Sequence, residues 1–141
     1  MNAILSIKPQ FGEEILTGRK KFEFRKHGFK RPVRVIYIYA SSPVCRIVGE
    51  FELGHVIEGN PRDIWQQTHA YSGISKSYFD EYFTNHTVGF ALEIKAIKKY
   101  TNPINPYKQD KSFRAPQSFC YIDNISSLGK DKEPKLIFDD L

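Results

Sequence analysis

Residues 18–25 read GRKKFEFR, a glycine followed by three cations and then by an alternation of aromatic and charged side chains. A glycine after a helical stretch ends the helix, because it adopts a left-handed conformation without steric cost. The period-two alternation that follows predicts a β-strand, with Phe22 and Phe24 on one face and Lys21, Glu23 and Arg25 on the other. The stretch therefore predicts a turn that leads into a strand with an apolar back and a charged front.

The charged residues of this strand and turn form a candidate anion site. Lys20 is expected to project from the turn, and Glu23 lies within reach of two or three cations. Glu23 can then orient Lys20 or Arg25, or move a proton itself. The alternative is that the cluster is the ordinary solvated face of an edge strand.

Hydrophobic patterns on both sides of this stretch predict further strands and helices. Apolar or alternating runs predict strands over residues 4–7, 21–25, 33–40, 46–56, 87–100 and 119–122. Capping signals predict helices over residues 11–17 and 62–68, and a third helix capped by Ser75. Residues 101–116 are rich in Pro, Asn and Lys and predict a loop. The elements together predict a mainly β protein with short helices.

Aromatic residues recur four positions apart in the third predicted helix, in the pairs Tyr78 and Tyr82, and Phe79 and Phe83. Residues at this spacing share a helix face. Most of these aromatics are expected in the core. Trp65 in the preceding helix is expected to pack there as well, the alternative being that it stacks on a base.

The chain of 141 residues has the size of one ordinary domain. We expect this domain to occupy residues 1–124 and the remainder, residues 125–141, to be a C-terminal appendage. Within the appendage, residues 129–135 read GKDKEPK and predict a flexible stretch, whereas residues 136–138 either dock on the domain or stay loose.

Positive charge is concentrated in the first third of the chain. Residues 1–49 contain ten Lys/Arg and three Glu, a net charge of +7, whereas the remainder carries eleven Lys/Arg and thirteen Asp/Glu, or −2. Such a concentration favours polyanions such as nucleic acid, although many basic faces are merely solvated.

Other sequence signals bear on location and on metal or cofactor binding. No segment approaches the roughly 20 apolar residues of a membrane span, and a cytoplasmic protein without membrane association is expected. Cys45 and Cys120 have neither metal-ligand spacing nor the pattern of a disulfide scaffold. We expect no metal and no cofactor, and the oligomeric state stays open.

Gly18, Lys20, Glu23 and Arg25 match the GxKxxExR motif, and the chain resembles the ASCH domain family in motif, order and flanking segments. The flanking segments that carry the resemblance, over about residues 4–122, are ILSIKPQF, IYIYASSPV, VGEFELG, SGISKSYFDEYF and APQSFCYI. Members of the group are often labelled predicted transcriptional regulators. The resemblance implies a PUA-like fold, a small mixed β-barrel with flanking short helices.

The resemblance also implies a cleft lined by the motif residues, so Lys20, Glu23 and Arg25 are the first candidates for ligand binding. Other polar residues at strand ends and in the turn are further candidates: Lys8, Arg19, Lys21, Ser41, Ser42, Gln117 and Ser118. Candidate phosphate contacts are Arg19, Lys20, Lys21, Arg25, Lys26, Lys30 and Arg31. The sequence therefore predicts a module with a basic cleft that binds RNA, a nucleotide or a modified base, with a possible regulatory role.

Two other functions stay open. ASCH relatives include ribonucleases, and in a metal-independent ribonuclease or other small hydrolase Lys20 and Glu23 would be the catalytic residues. Relatives that resemble acetylcytidine amidohydrolases use a threonine nucleophile where this chain has Glu23, which disfavours that activity. A DNA-binding transcriptional regulator with duplex DNA as partner is less favoured, because no additional helix-turn-helix is evident.

Overall fold

Six strands form one mixed sheet in the computed structural model, which describes residues 1–128 and 136–138. The strands are β1 (Asn2–Ile7), β2 (Phe22–Arg25), β3 (Val35–Ala40), β4 (Arg46–Gly59), β5 (Gly89–Ile104) and β6 (Phe119–Ile122). The helices are α1 (Pro9–Leu16), α2 (Pro61–Thr68), α3 (Lys76–Tyr82) and α4 (Pro106–Gln109), with 3₁₀ turns at His69–Tyr71 and Ile125–Ser127. The predicted mainly β fold with short helices is confirmed.

The strand order is β2-β5-β4-β3-β1-β6, so β2 and β6 are the two edges of the sheet. β1 pairs with β3 in parallel, and the other neighbouring strands are antiparallel. Register shifts interrupt the pairing of β4 with β5 in three places. Because β-bulges bend and twist a strand, the sheet curves into a half-barrel.

Strand β3 is buried on both faces. In β3, Ile36 and Ile38 join one hydrophobic cluster, while Tyr37 and Tyr39 join a second cluster on the opposite face. All six residues of β3 are buried. The prediction that residues 33–40 form a strand covered on both sides is therefore correct.

A third hydrophobic cluster packs α2 and α3 against the edge strand β2 and its neighbour β5. Phe79 and Phe83 pack with Phe24 of β2 in this cluster. Side-chain caps begin both helices, since Asn60 accepts from a backbone N–H of α2 and Ser75 from one of α3. The caps and the buried phenylalanines together fix which face α3 turns toward the sheet.

The structure differs from the prediction between residues 101 and 116. β5 continues to Ile104 and α4 follows at residues 106–109, so the first part of this segment is regular, whereas residues 110–116 are irregular as predicted. Asn105 followed by Pro106 gives α4 its cap and its first residue, the signal that begins α2 as well. Short helices with such caps are hard to distinguish from turns in a sequence.

The described part of the tail packs on the domain. Ile137 exchanges two backbone hydrogen bonds with Tyr121 of β6, of 2.7 and 2.8 Å, so residues 136–138 dock on the sheet edge. The predicted flexible stretch 129–135 lies outside the described residues, and the division of the chain at residue 124 stays a prediction. Within residues 1–128 and 136–138, no helix is long and apolar enough to cross a membrane.

Candidate functional site

A cleft of about 390 Å³ opens where the two edges of the curved sheet approach each other. Its walls come from the ends of β1 and β2, the residues just before β6, and one face of α3. The lining residues are Ser6, Ile7, Lys8, Phe11, Lys20, Glu23, Phe24, Arg25, Lys26, His27, Ser41, Ile74, Tyr78, Tyr82, Gln117 and Ser118. Four lysines and arginines and one glutamate are among them.

The motif residues Lys20, Glu23 and Arg25 form a buried ionic triad in this cleft. Glu23 receives a hydrogen bond of 2.7 Å from Arg25 Nη2, and its other oxygen lies 3.7 Å from Lys20 Nζ. The three residues are 1%, 7% and 8% exposed in the order Lys20, Glu23, Arg25. The expectation that Lys20 projects from the turn is therefore wrong, and so is the alternative of a solvated strand face.

The backbone turn before β2 directs Lys20 inward. The N–H groups of Arg19 and Lys20 both donate to the Glu14 carbonyl, and Gly18 has a φ of +84°. Lys20 Nζ then donates to the Ser72 carbonyl at 2.6 Å. Burial lowers the pKa of the Lys20 ammonium; Glu23 opposes this effect and Arg25 adds to it.

Arg25 links the two edges of the sheet. From β2 its Nη2 donates to the Ser6 carbonyl of β1 at 2.9 Å, and its Nη1 donates to the Ser118 hydroxyl, next to β6, at 3.2 Å. Its Nε is buried and has no hydrogen-bond acceptor within the described part of the chain. Buried donors are nearly always paired, so this N–H is an exception to the usual pattern.

Most of the predicted site residues meet in the cleft, and three do not. Lys8, Lys20, Glu23, Arg25, Ser41, Gln117 and Ser118 line it. Arg19, Lys21 and Ser42 lie outside the lining. Arg19 instead pairs with Glu14 at 3.0 Å on the surface, and the Lys21 ammonium lies 4.6 Å from the ring centroid of Tyr71.

Of the remaining candidate phosphate contacts, one lines the cleft and two do not. Lys26 lines the cleft, whereas Lys30 and Arg31 are outside the lining and exposed. The Arg31 guanidinium lies over the ring of Tyr121 at 5.2 Å. Trp65 packs on Phe79, with the ring centroids 4.9 Å apart, so its position agrees with core packing and not with base stacking.

Two tyrosines line the cleft, and one of them, Tyr82, also packs against the third cluster, as expected for a core aromatic. Tyr78 and Tyr82 share the α3 face that lines the cleft, while Phe79 and Phe83 of the same helix are 1% and 4% exposed in the core. The four-residue spacing correctly groups each pair on one face. Hydroxyl-bearing rings on one face and bare rings on the other are the signal that separates the two roles.

We expect Gly73→Ala to be more destabilising than Gly18→Ala, although both glycines have positive φ. A Cβ at Gly73 would lie 2.7 Å from Lys20 Cβ, whereas a Cβ at Gly18 meets nothing within 4 Å. Gly18→Ala should lower the free energy of unfolding by about 1–2 kcal/mol through backbone strain alone. Gly73→Ala should lower it by about 2–4 kcal/mol, because Lys20 must also move.

Urea denaturation of the two variants and of the wild-type chain measures this difference. Equal losses would show that the loop at Gly73 does not position Lys20.

Known proteins resemble this chain in sequence. A family model described as ASCH domain matches residues 5–111. A Zymomonas mobilis protein named ASCH domain-containing ribonuclease is 26% identical over 141 residues, which cover 96% of this chain and 89% of that protein. A Ureaplasma parvum protein named ATP synthase subunit alpha is 32% identical over 124 residues, which cover 84% of this chain but 15% of that protein.

The fold also matches a solved structure. The crystal structure of ASCH from Zymomonas mobilis aligns with a TM-score of 0.82 at 23% identity, covering 89% of this chain and 90% of that one. This likeness concerns the fold alone. Since the family model spans most of the 141 residues, the chain belongs to the ASCH domain family, as its GxKxxExR motif predicted.

Proposed function

We propose that the chain binds RNA, or a nucleotide-like part of it, in the cleft around Lys20, Glu23 and Arg25. The observation that carries the proposal is the charge of the lining: Lys8, Lys20, Arg25 and Lys26 against Glu23 alone. Glu23 is already paired with Arg25, so the field left for a ligand is that of the cations. The concentration of positive charge in residues 1–49 supports the same ligand class.

The depth at which the cations lie gives them different roles. Lys8 is exposed at the rim and Lys26 is half-buried, so both can reach a phosphate in solvent. Lys20 and Arg25 are fixed by the Ser72 and Ser6 carbonyls, and their donors are held in place before a ligand arrives.

The size of the cleft suits a nucleotide-sized unit. A volume of about 390 Å³ lies near the lower end of the roughly 300–1,000 Å³ that small-molecule sites occupy. A duplex is too wide to enter such a space. Family membership supports RNA as the source of the unit, because a curated relative is named a ribonuclease.

Ribonuclease activity is the second candidate, and the name of the Zymomonas mobilis relative favours it. The Ser118 hydroxyl lies 3.2 Å from Arg25 Nη1, beside the ion pair of Arg25 with Glu23. Fixed cations of this kind stabilise the extra negative charge of a phosphorane, and a carboxylate can move a proton. Binding without cleavage and binding with cleavage therefore use the same residues.

We expect single-stranded RNA to be retarded by the protein in a gel, with an affinity that falls steeply as salt rises. Each phosphate contact contributes about −0.7 to the slope of log affinity against log salt for a single strand. Lys26→Met should therefore reduce the steepness by about 0.7 if Lys26 contacts one phosphate. The same gel reads cleavage, with and without a chelator.

Lys98→Met is the matched control, since Lys98 is exposed on β5 and outside the cleft lining. It should leave the slope unchanged. A slope near zero for the wild-type chain would contradict phosphate binding. Chelator-resistant cleavage that Lys20→Met abolishes would favour the ribonuclease, and equal retardation of duplex DNA would favour a DNA-binding regulator instead.

A further inference from the structure

Two tyrosine rings on one face of α3 form a wall of the cleft. Tyr78 and Tyr82 are half-buried cleft residues, and the opposite side of the same helix is locked into the core by Phe79 and Phe83. The Ser75 cap fixes the start of the helix, with its hydroxyl accepting from Tyr78 N–H at 3.1 Å. The rings are therefore presented by a rigid support rather than by a loop.

A lysine ammonium from elsewhere in the fold lies over each tyrosine ring. Lys8 Nζ lies 5.4 Å from the ring centroid of Tyr78, and Lys26 Nζ lies 4.7 Å from that of Tyr82. Neither lysine has a carboxylate within salt-bridge distance among residues 1–128 and 136–138. An aromatic face next to an unneutralised cation matches a nucleotide, which offers a flat base and a phosphate.

From this arrangement we infer that Tyr78 and Tyr82 are base-stacking residues that make the cleft selective for unpaired nucleotides. The inference rests on the proposed function and names its substrate class. A base in a duplex is stacked on both sides and paired at its edge, so it cannot offer its face to a protein ring. An unpaired base can, which is how single-stranded RNA is usually recognised.

The typical strengths of the two contacts favour replacing the lysine ammonium on the tyrosine ring by a base. A cation–π contact at an exposed site is worth a factor of about 2 to 5, whereas a base on an aromatic ring is worth about 5 to 150. A bound base therefore displaces the ammonium from the ring face. The released ammonium of Lys8 or Lys26 is then available for the adjacent phosphate.

Spacing along the helix favours bases that are spread apart. Four helical residues rise about 6 Å, nearly twice the ~3.4 Å between stacked bases of one strand. Two neighbouring bases on the two rings must therefore be unstacked from each other. The residues of the buried triad line the same space.

Leucine variants test the role of the rings. Tyr78→Leu and Tyr82→Leu keep an apolar side chain but remove the ring, and each should weaken binding of a single-stranded RNA oligonucleotide by roughly 5- to 150-fold. Tyr78→Phe and Tyr82→Phe keep the ring and should bind within about 3-fold of wild type, a difference well below the loss of one stacked base.

Tyr71→Leu is the matched control. Tyr71 is 53% exposed and also lies beside a lysine ammonium, that of Lys21 at 4.6 Å, but it is outside the cleft lining. This variant should bind as wild type does. Urea denaturation of all five variants shows which of them are folded at the temperature of the binding assay.

A second measurement needs no variant. The wild-type chain should bind an oligonucleotide with abasic positions at least about 5-fold more weakly than the intact strand of equal charge, and a 2-aminopurine base should change its fluorescence on binding. Equal affinity for intact and abasic strands, or for Tyr and Leu forms of a folded chain, overturns the stacking inference while leaving RNA binding in place. Absence of any RNA binding by wild type overturns the proposed function and the inference with it.

Discussion

Arg25→Met should lower the free energy of unfolding by about 3–5 kcal/mol, the cost of removing one partner from a buried ion pair. The change leaves the Glu23 carboxylate without its 2.7 Å hydrogen bond and with only the more distant Lys20 ammonium at 3.7 Å. It also removes the donors to Ser6 and Ser118, which tie β2 to the opposite edge of the sheet. Urea denaturation followed by circular dichroism measures the loss.

Two further variants distinguish the stabilising effect of the charge of residue 25 from the effect of its buried position. Arg25→Lys keeps a cation near Glu23 but cannot donate from a planar fork to three acceptors, so its loss should fall between wild type and Arg25→Met. Arg19→Met removes an ion pair of similar length, 3.0 Å to Glu14, at a side chain that is 61% exposed. Exposed pairs contribute little, and Arg19→Met should change stability far less than Arg25→Met does.

An Arg25→Met variant no less stable than Arg19→Met would show that the link between the sheet edges contributes nothing to the fold. The result bears on function as well. If Arg25 holds the two edges together, loss of RNA binding in Arg25→Met reports a disordered cleft and not only a missing contact. Ligand contacts are therefore better tested at Lys26, Tyr78 and Tyr82 than at Arg25.

The strands and helices followed from the sequence because their signals are local. Alternation over residues 21–25, the apolar run at 33–40 and the Asn60-Pro61 cap each lie within one element. The motif spacing also placed Glu23 and Arg25 on one strand face, and the structure confirms that they pair. The family assignment followed from the same motif.

Burial of the triad could not be predicted in this way, because it depends on contacts distant in sequence. The Ser72 carbonyl that holds Lys20 is 52 residues away, and the Ser118 hydroxyl that meets Arg25 is 93 residues away. The pattern of charges on a strand is the same whether its face meets solvent or a cleft. Curvature of the sheet, which brings β2 toward β1 and β6, decides between the two.

The tyrosine wall was missed for a related reason. A four-residue repeat of aromatics defines two helix faces, but it does not say which of them meets the core. In the structure Phe79 faces the core, where its ring centroid lies 5.1 Å from that of Phe24. Tyr78 and Tyr82 are therefore on the face that lines the cleft. Conversely, Arg19 and Lys21 flank Lys20 in sequence but lie outside the cleft lining, because they belong to the turn before β2 and not to the strand whose alternation predicts a common face.

Lys20→Ala and Lys20→Met should differ sharply in stability. Lys20 is 1% exposed and among the largest fully buried side chains, so alanine leaves a cavity and should cost about 2–4 kcal/mol, as for other large buried residues. Methionine nearly fills the same volume and leaves no such cavity, so it should cost less than alanine, although it too removes the donor to the Ser72 carbonyl. Both variants lose the ammonium and should lose RNA affinity together. Urea denaturation and gel retardation measure the two effects separately.

The pH profile isolates the charge of Lys20. Burial lowers the pKa of Lys20 in the folded state below its ordinary 10.5, so between the two values the unfolded chain binds more protons and stability rises with pH. Lys20→Met lacks this gain, and its stability relative to wild type should be highest near neutral pH and decrease as pH approaches 10.5. Tyr82 and other groups with raised pKa titrate equally in both proteins and cancel in the difference. If the stability difference between Lys20→Met and wild type does not change with pH, the folded protein does not disfavour the Lys20 ammonium. The ammonium is then better solvated than its burial indicates.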